Sequence, residues 1–223
     1  MLKTSAFTLA ALLLAGSSLA QTTIEVPISL ATDDTELRDA SGVLGVDFDS
    51  SDLEVGQDGN RPTRIGLRFQ NVNLPANAVV SNAYIQFTGD AGDAGAEAGV
   101  PVVVIRGEAN VNPVTYINDV TDIPGRATTT AEVTWTATAQ FTADTATTAE
   151  RTPNLSAIVT EIISLPGWAA GNAMAFQIFP SAAGERTAHS FENSASNSAW
   201  VARLVITYTT PAPLAANDWA LYE

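Results

Sequence analysis

Nine carboxylates fall between positions 33 and 58: Asp33, Asp34, Glu36, Asp39, Asp47, Asp49, Asp52, Glu54 and Asp58, with Arg38 the only basic residue among them. Crowded on adjacent segments, these charges repel one another unless a cation compensates. Calcium suits such a set, because it takes about six to eight oxygens from carboxylates and backbone carbonyls in flexible geometry. In Ser51-Asp52-Leu53-Glu54, a strand places Asp52 and Glu54 on one face and turns Leu53 to the core. The expected ligands in this stretch are Asp34, Glu36, Asp52 and Glu54. Asp90 joins them from a smaller cluster with Asp93 and Glu97, and Asn118, Asp119 and Asp122 form another. None of these runs has the D-x-[DN]-x-[DN]-G order of an EF-hand loop. The competing reading is a solvated acidic face that keeps the chain in solution.

Other chemistry finds little footing. His189 is the only histidine and cysteine is absent, which argues against the common zinc sites. No G-x-S-x-G elbow accompanies His189, whose setting, Thr187-Ala188-His189-Ser190-Phe191, reads as a strand. Carboxylate pairs for glycoside hydrolysis exist in so acidic a chain, but aromatic residues make up only 7% of it, too few to line a cleft well. The expectation is a protein that is not an enzyme. Sugar rings stack on exposed aromatic faces, and the candidates are Tyr84, Tyr116, Trp135, Trp168, Trp200 and Trp219. Tyr116 lies in a polar stretch and is expected to be exposed. Trp168 is the second carbohydrate candidate, although it, Trp135 and Trp200 also suit packing positions.

The elements that must position these residues are mostly strands. Apolar and polar residues alternate at Ile24–Leu30, Arg64–Gln70 and Ala83–Phe87, whereas Val102–Ile105 is apolar on both faces, as in a central strand. Ala131–Thr136, Ala173–Phe179 and Ala199–Tyr208 continue the pattern, and turn residues such as Asp122-Ile123-Pro124-Gly125 separate the runs. One segment departs from it. Leu155, Ile158, Val159, Ile162 and Ile163 recur at helical spacing, with Thr152 as a cap and Pro166-Gly167 as a stop. The pattern predicts an all-β, jelly-roll β-sandwich with one short helix over about 154–164. The alanine- and threonine-rich stretch from Ala127 to Thr148 reads as loose strand or loop.

Residues 1–20 read as a secretory signal: Lys3, an apolar run from Phe7 to Ala15, and a small-residue site at Ser18-Leu19-Ala20. The sandwich then covers 21–210 and an apolar tail covers 211–223. Without Lys3 the chain has nine arginines against twenty-four acids, a net charge of −15. That balance argues against nucleic acid and anionic lipid as partners, and no segment is long enough to span a bilayer as a helix. An exported chain without cysteine is held by its core, by metal or by partners rather than by disulfides.

Several of these stretches line up in order: Asp34-Thr35-Glu36-Leu37-Arg38-Asp39, Ser51-Asp52-Leu53-Glu54, Arg64-Ile65-Gly66-Leu67-Arg68-Phe69 and Ala83-Tyr84-Ile85-Gln86-Phe87. Further on come Arg151-Thr152-Pro153-Asn154-Leu155, Ser190-Phe191-Glu192-Asn193 and Arg203-Leu204-Val205-Ile206-Thr207-Tyr208. Over about residues 30–208 the chain resembles the disaggregatase-related, or DNRLRE-type, carbohydrate-binding-like domains. The resemblance implies a jelly-roll sandwich, often with structural calcium, in secreted bacterial and archaeal proteins. It adds Glu192 as a further metal ligand. Some relatives bind acidic polysaccharides, a use that suits poorly a chain with no lysine outside its signal. Two roles are therefore expected: a structural or adhesive subunit of an extracellular matrix or filament, self-assembling by exchange of Thr22–Leu30 or of the tail, or a module that binds extracellular polysaccharide.

Overall fold

A computed structural model describes residues 20–40, 43–90 and 98–211. The signal, the 212–223 tail with Trp219, and Asp93 and Glu97 of the smaller acidic cluster lie outside the described residues, so the expectations for them have no structural counterpart.

Over the described residues the chain is an all-β sandwich of two unequal sheets with one short α-helix of more than a single turn. The smaller sheet orders β1 (Gln21–Pro27), β11 (Arg203–Thr209) and β6 (Val79–Gln86), all antiparallel. The larger runs through β10 (Arg186–His189), β4 (Asp52–Asp58), β5 (Arg61–Phe69), β9 (Met174–Gly184), β7 (Gly99–Glu108) and β8 (Thr128–Thr136). A hairpin of β2 (Asp34–Ala40) and β3 (Val43–Asp47) joins it along β5.

Alternation decides which residues meet between the sheets. Ile65, Leu67 and Phe69 of β5, Phe176 and Ile178 of β9, and Ile85, Leu204 and Ile206 opposite them are buried in one core. The predicted helix forms as α2 (Ser156–Ile163), with Ile158, Val159, Ile162 and Ile163 buried against β6, β7 and β8. It needs Gly107, where a Cβ would stand 2.6 Å from Ile162 Cδ1. Thr152 does not cap α2; its hydroxyl accepts from Ile85 N at 3.0 Å and closes the outer edge of β6. The segment Asp122–Gly125, read as a turn, winds into the single turn α1. Within 127–148 the first half is ordered strand, because Trp135 on β8 stacks between Phe87 and Phe141.

One register feature positions the acidic residues. The free edge of β5 is shared: Arg61–Thr63 pair with β4, while Thr63–Leu67 pair with β2. The edge therefore forks, and side chains of β2 and β4 face each other across the gap.

Candidate metal centre

Asp34 and Glu36 lie two residues apart on β2, so both point into the fork from one side. Across it stand Asp52 and Glu54, spaced in the same way on β4. The turn that follows β10 supplies the lid, with Ser190 Oγ donating to Ser50 O at 2.7 Å and Glu192 beside Asp34. The resulting crevice, too tight for a water molecule, is lined by Asp34, Glu36, Asp47, Asp52, Ser50 and Glu192, among others. Five of the six expected metal ligands thus converge: Asp34, Glu36, Asp52 and Glu192 line the crevice and Glu54 adjoins it.

The burial is deep and the compensation incomplete. Asp34 is 2% exposed, Glu36 0% and Glu54 6%. Asp34 Oδ2 accepts from Phe191 N at 2.8 Å and Glu36 Oε1 from Glu54 N at 2.6 Å. Their other oxygens, Asp34 Oδ1 and Glu36 Oε2, and Glu54 Oε2 beside them, are buried without a donor when all three carboxyls are ionised, and Glu36 and Glu54 lie close enough to share a proton. An orphaned buried acceptor costs about 1–3 kcal/mol, and more when charged. Arg38 lies 3.8 Å from Glu36 and 3.9 Å from Glu54, and it also serves Asp47 and Asp58. Burial pushes the Asp34 carboxyl up to about 8. Burial, followed by the facing Glu54 carboxyl, holds Glu36 well above the usual range, and burial also raises Glu54 and Glu192.

Such a set can hold protons or a hard cation. Carboxylate and hydroxyl oxygens with unused lone pairs fit calcium rather than a soft metal. Among the described residues, no three Asp, Glu or His side chains already stand at ligand spacing.

The remaining expected site residues are placed elsewhere. Asp90 does not enter the fork: its Oδ2 lies 3.0 Å from His189 Nδ1, while His189 Nε2 meets Asp144 Oδ1 at 2.9 Å and Trp200 stacks on the imidazole at 4.2 Å. Asp144 and Trp200 are brought there by loops far apart in sequence, and no local spacing announces them. Asp119 caps its own turn through Thr121, and Asp122 pairs with Arg126.

The exposure expected of Tyr116 is corrected. Its ring is 2% exposed and lies over Gly66 of β5, where a Cβ would come within 2.7 Å of Tyr116 Cζ. Arg126 covers the ring at 4.1 Å, and the hydroxyl donates to Glu108 at 3.2 Å. Trp168 is also buried, its indole N–H donating to Leu74 O at 3.0 Å. Neither ring presents a face on which a sugar could stack. Asp47, Ser50 and Ser190, which complete the crevice, were not singled out by spacing; only the density of acids around Asp47 signals one of them. No family model matches the chain, and the search of curated proteins gives no match.

Proposed function

We propose that the chain is a secreted, non-catalytic β-sandwich protein that calcium staples at the fork between β2 and β4, and that it serves as a structural or adhesive subunit of an extracellular matrix or filament. The observation that carries this reading is the set of buried, unpartnered oxygens on Asp34, Glu36 and Glu54 in a chain without cysteine. A divalent ion there would link β2, β4 and the Ser190–Glu192 turn, the service a disulfide gives in other exported domains. The signal-like start and the resemblance to DNRLRE-type domains support export and calcium together.

The smaller sheet supports assembly. One of its edges, β6, is closed by residues 151–155, through Thr152 N to Ile85 O and Leu155 N to Ala83 O. The other, β1, pairs only with β11 among the described residues, and Val26 is its only buried side chain. A strand held by its ladder and little side-chain burial is suited to exchange with a neighbour's β1, and its free edge to pairing with another strand. The polysaccharide reading loses its two aromatic residues to burial.

The test is light scattering and thermal unfolding of residues 21–223 in calcium and then in chelator. Calcium-dependent stabilisation with growth into large particles is expected. A monomer with the same melting temperature in both conditions overturns the reading.

A further inference from the structure

On the outer face of the larger sheet, a second feature is unbalanced in the opposite sense. The register that pairs Ile65 with Ile178 makes Arg64 of β5 and Phe179 of β9 cross-strand neighbours, and the guanidinium carbon lies 4.5 Å from the ring centroid. Arg106 of β7 approaches the same ring at 5.6 Å. Beside them runs an apolar groove of about 320 Å³, flanked by Leu37, Leu44, Pro62, Pro124 and Pro180. Leu44 is 50% exposed at its rim.

Arg64 is distinctive among the arginines. Arg38, Arg61, Arg68, Arg106 and Arg126 each meet a carboxylate. Arg151 donates to Gln86, and Arg186 and Arg203 donate to carbonyls. Among the described residues Arg64 has neither a hydrogen bond nor an ion pair, and burial alone lowers its pKa. In a chain of net charge −14 this is a half-buried cation, on an aromatic ring, next to an apolar groove. The complement is a short acidic and aromatic peptide with no cation of its own.

The chain contains one. Residues 212–223, outside the described structure, carry Leu214, Trp219, Leu221 and Tyr222, with Asp218 and Glu223 and no basic residue. Asp218-Trp219 sets a carboxylate beside an indole, matching Arg64 beside Phe179. The segment follows β11 in the smaller sheet, whereas the groove lies on the far side of the larger one. Twelve residues reach about 40 Å when extended, enough to cross to an adjacent molecule.

We infer that residues 212–223 of one copy dock in the Arg64–Phe179 groove of the next, with Asp218 on Arg64 and Trp219 on the apolar floor. The contact is head-to-tail, so it propagates a filament unless a rotation closes a ring. This inference rests on the assembly reading above and names its contact.

Sedimentation velocity on residues 21–223 in calcium tests it through a charge swap. The unaltered chain is expected to associate with rising concentration, and Arg64→Glu and Asp218→Arg are each expected to weaken association on the order of tenfold or more. Mixing the two variants restores it, because each then offers a groove that matches the other's tail. Asp218→Arg changes none of the described residues, so that variant tests the contact even if Arg64→Glu disturbs the sheet. Single variants that associate like the unaltered chain overturn the docking while leaving calcium-dependent assembly standing. Weakening that mixing does not restore also overturns it. A chain that stays monomeric at every concentration in calcium overturns both, and binding of a uronic-acid oligosaccharide that Arg64→Glu abolishes would then reassign the groove to glycan.

Discussion

Two regions of this molecule bury carboxylates, and they settle the charge differently. Under the 108–126 loop, Glu108 is 2% exposed, yet Arg126 reaches it at 3.1 Å and holds Asp122 at 2.8 and 2.9 Å. The same guanidinium caps the Val114 and Thr115 carbonyls and covers Tyr116. At the fork, Arg38 stands beyond hydrogen-bonding distance of Glu36 and Glu54, and three carboxylate oxygens have no donor. Adjacent residues repeat the contrast. Asp33 is fully buried but bonded to Arg68, Gln70 and Thr115, whereas Asp34 keeps an orphaned oxygen. Where the fold needs only a closed loop, the chain supplies its own cation. At the fork it leaves three oxygens open, and the proposed calcium would sit there.

The largest effect is expected where the chain's own cation is removed. Arg126→Met leaves buried Glu108 with only the Tyr116 hydroxyl and half-buried Asp122 with only the Ile117 N–H, and should cost about 3–5 kcal/mol in urea unfolding, with no rescue by calcium. If calcium restores that variant, the two regions are not distinct.

The calcium proposed at the fork would come from solution, so its effect should follow mass action. Calcium at a hundredfold excess over its dissociation constant should stabilise by about 2.7 kcal/mol, seen as a melting temperature that rises with calcium concentration. The pair Asp34→Asn and Glu36→Gln should abolish that response, and should leave the metal-free protein at pH 8 at least as stable as the unaltered chain. Loss of stability in this double variant, with calcium response intact, would place the ion elsewhere.

The pH dependence of the metal-free chain carries a definite sign. Because burial raises the folded-state pKa of Asp34 to about 8, its contribution is fully present below the unfolded carboxyl value and is lost as pH rises through 8. Denaturation in chelator should therefore show stability falling between pH 5 and pH 8. In saturating calcium the slope reverses, since protons and calcium compete for the same oxygens. Identical slopes in the two conditions would contradict the assignment.

The smallest effect belongs to Tyr116→Phe, which removes one hydrogen bond to Glu108 and should cost about 1 kcal/mol without altering the response to calcium.

The strands, α2 and the acid cluster were legible because each depends on local pattern: alternation, helical spacing, density of charge. The fork was not, since it depends on β5 sharing one edge between β2 and β4, a non-local register that no single strand announces. Nor was the burial of Tyr116 readable from its polar neighbours. It depends on Gly66, fifty positions away, leaving room on the sheet for the ring. The place of Asp90 was hidden for the same reason: it stands at the β10 edge beside His189, away from the fork. The serines at the crevice carried no signal of their own, because a serine's role depends wholly on what stands opposite.

The central claim is that the fork is a calcium site. The direct measurement is calorimetric titration of chelator-stripped residues 21–223 with calcium, alongside the Asp34→Asn and Glu36→Gln double variant. Saturable binding by the unaltered chain and its loss in the variant is the predicted result. No binding at millimolar calcium, or equal binding by both proteins, would contradict it.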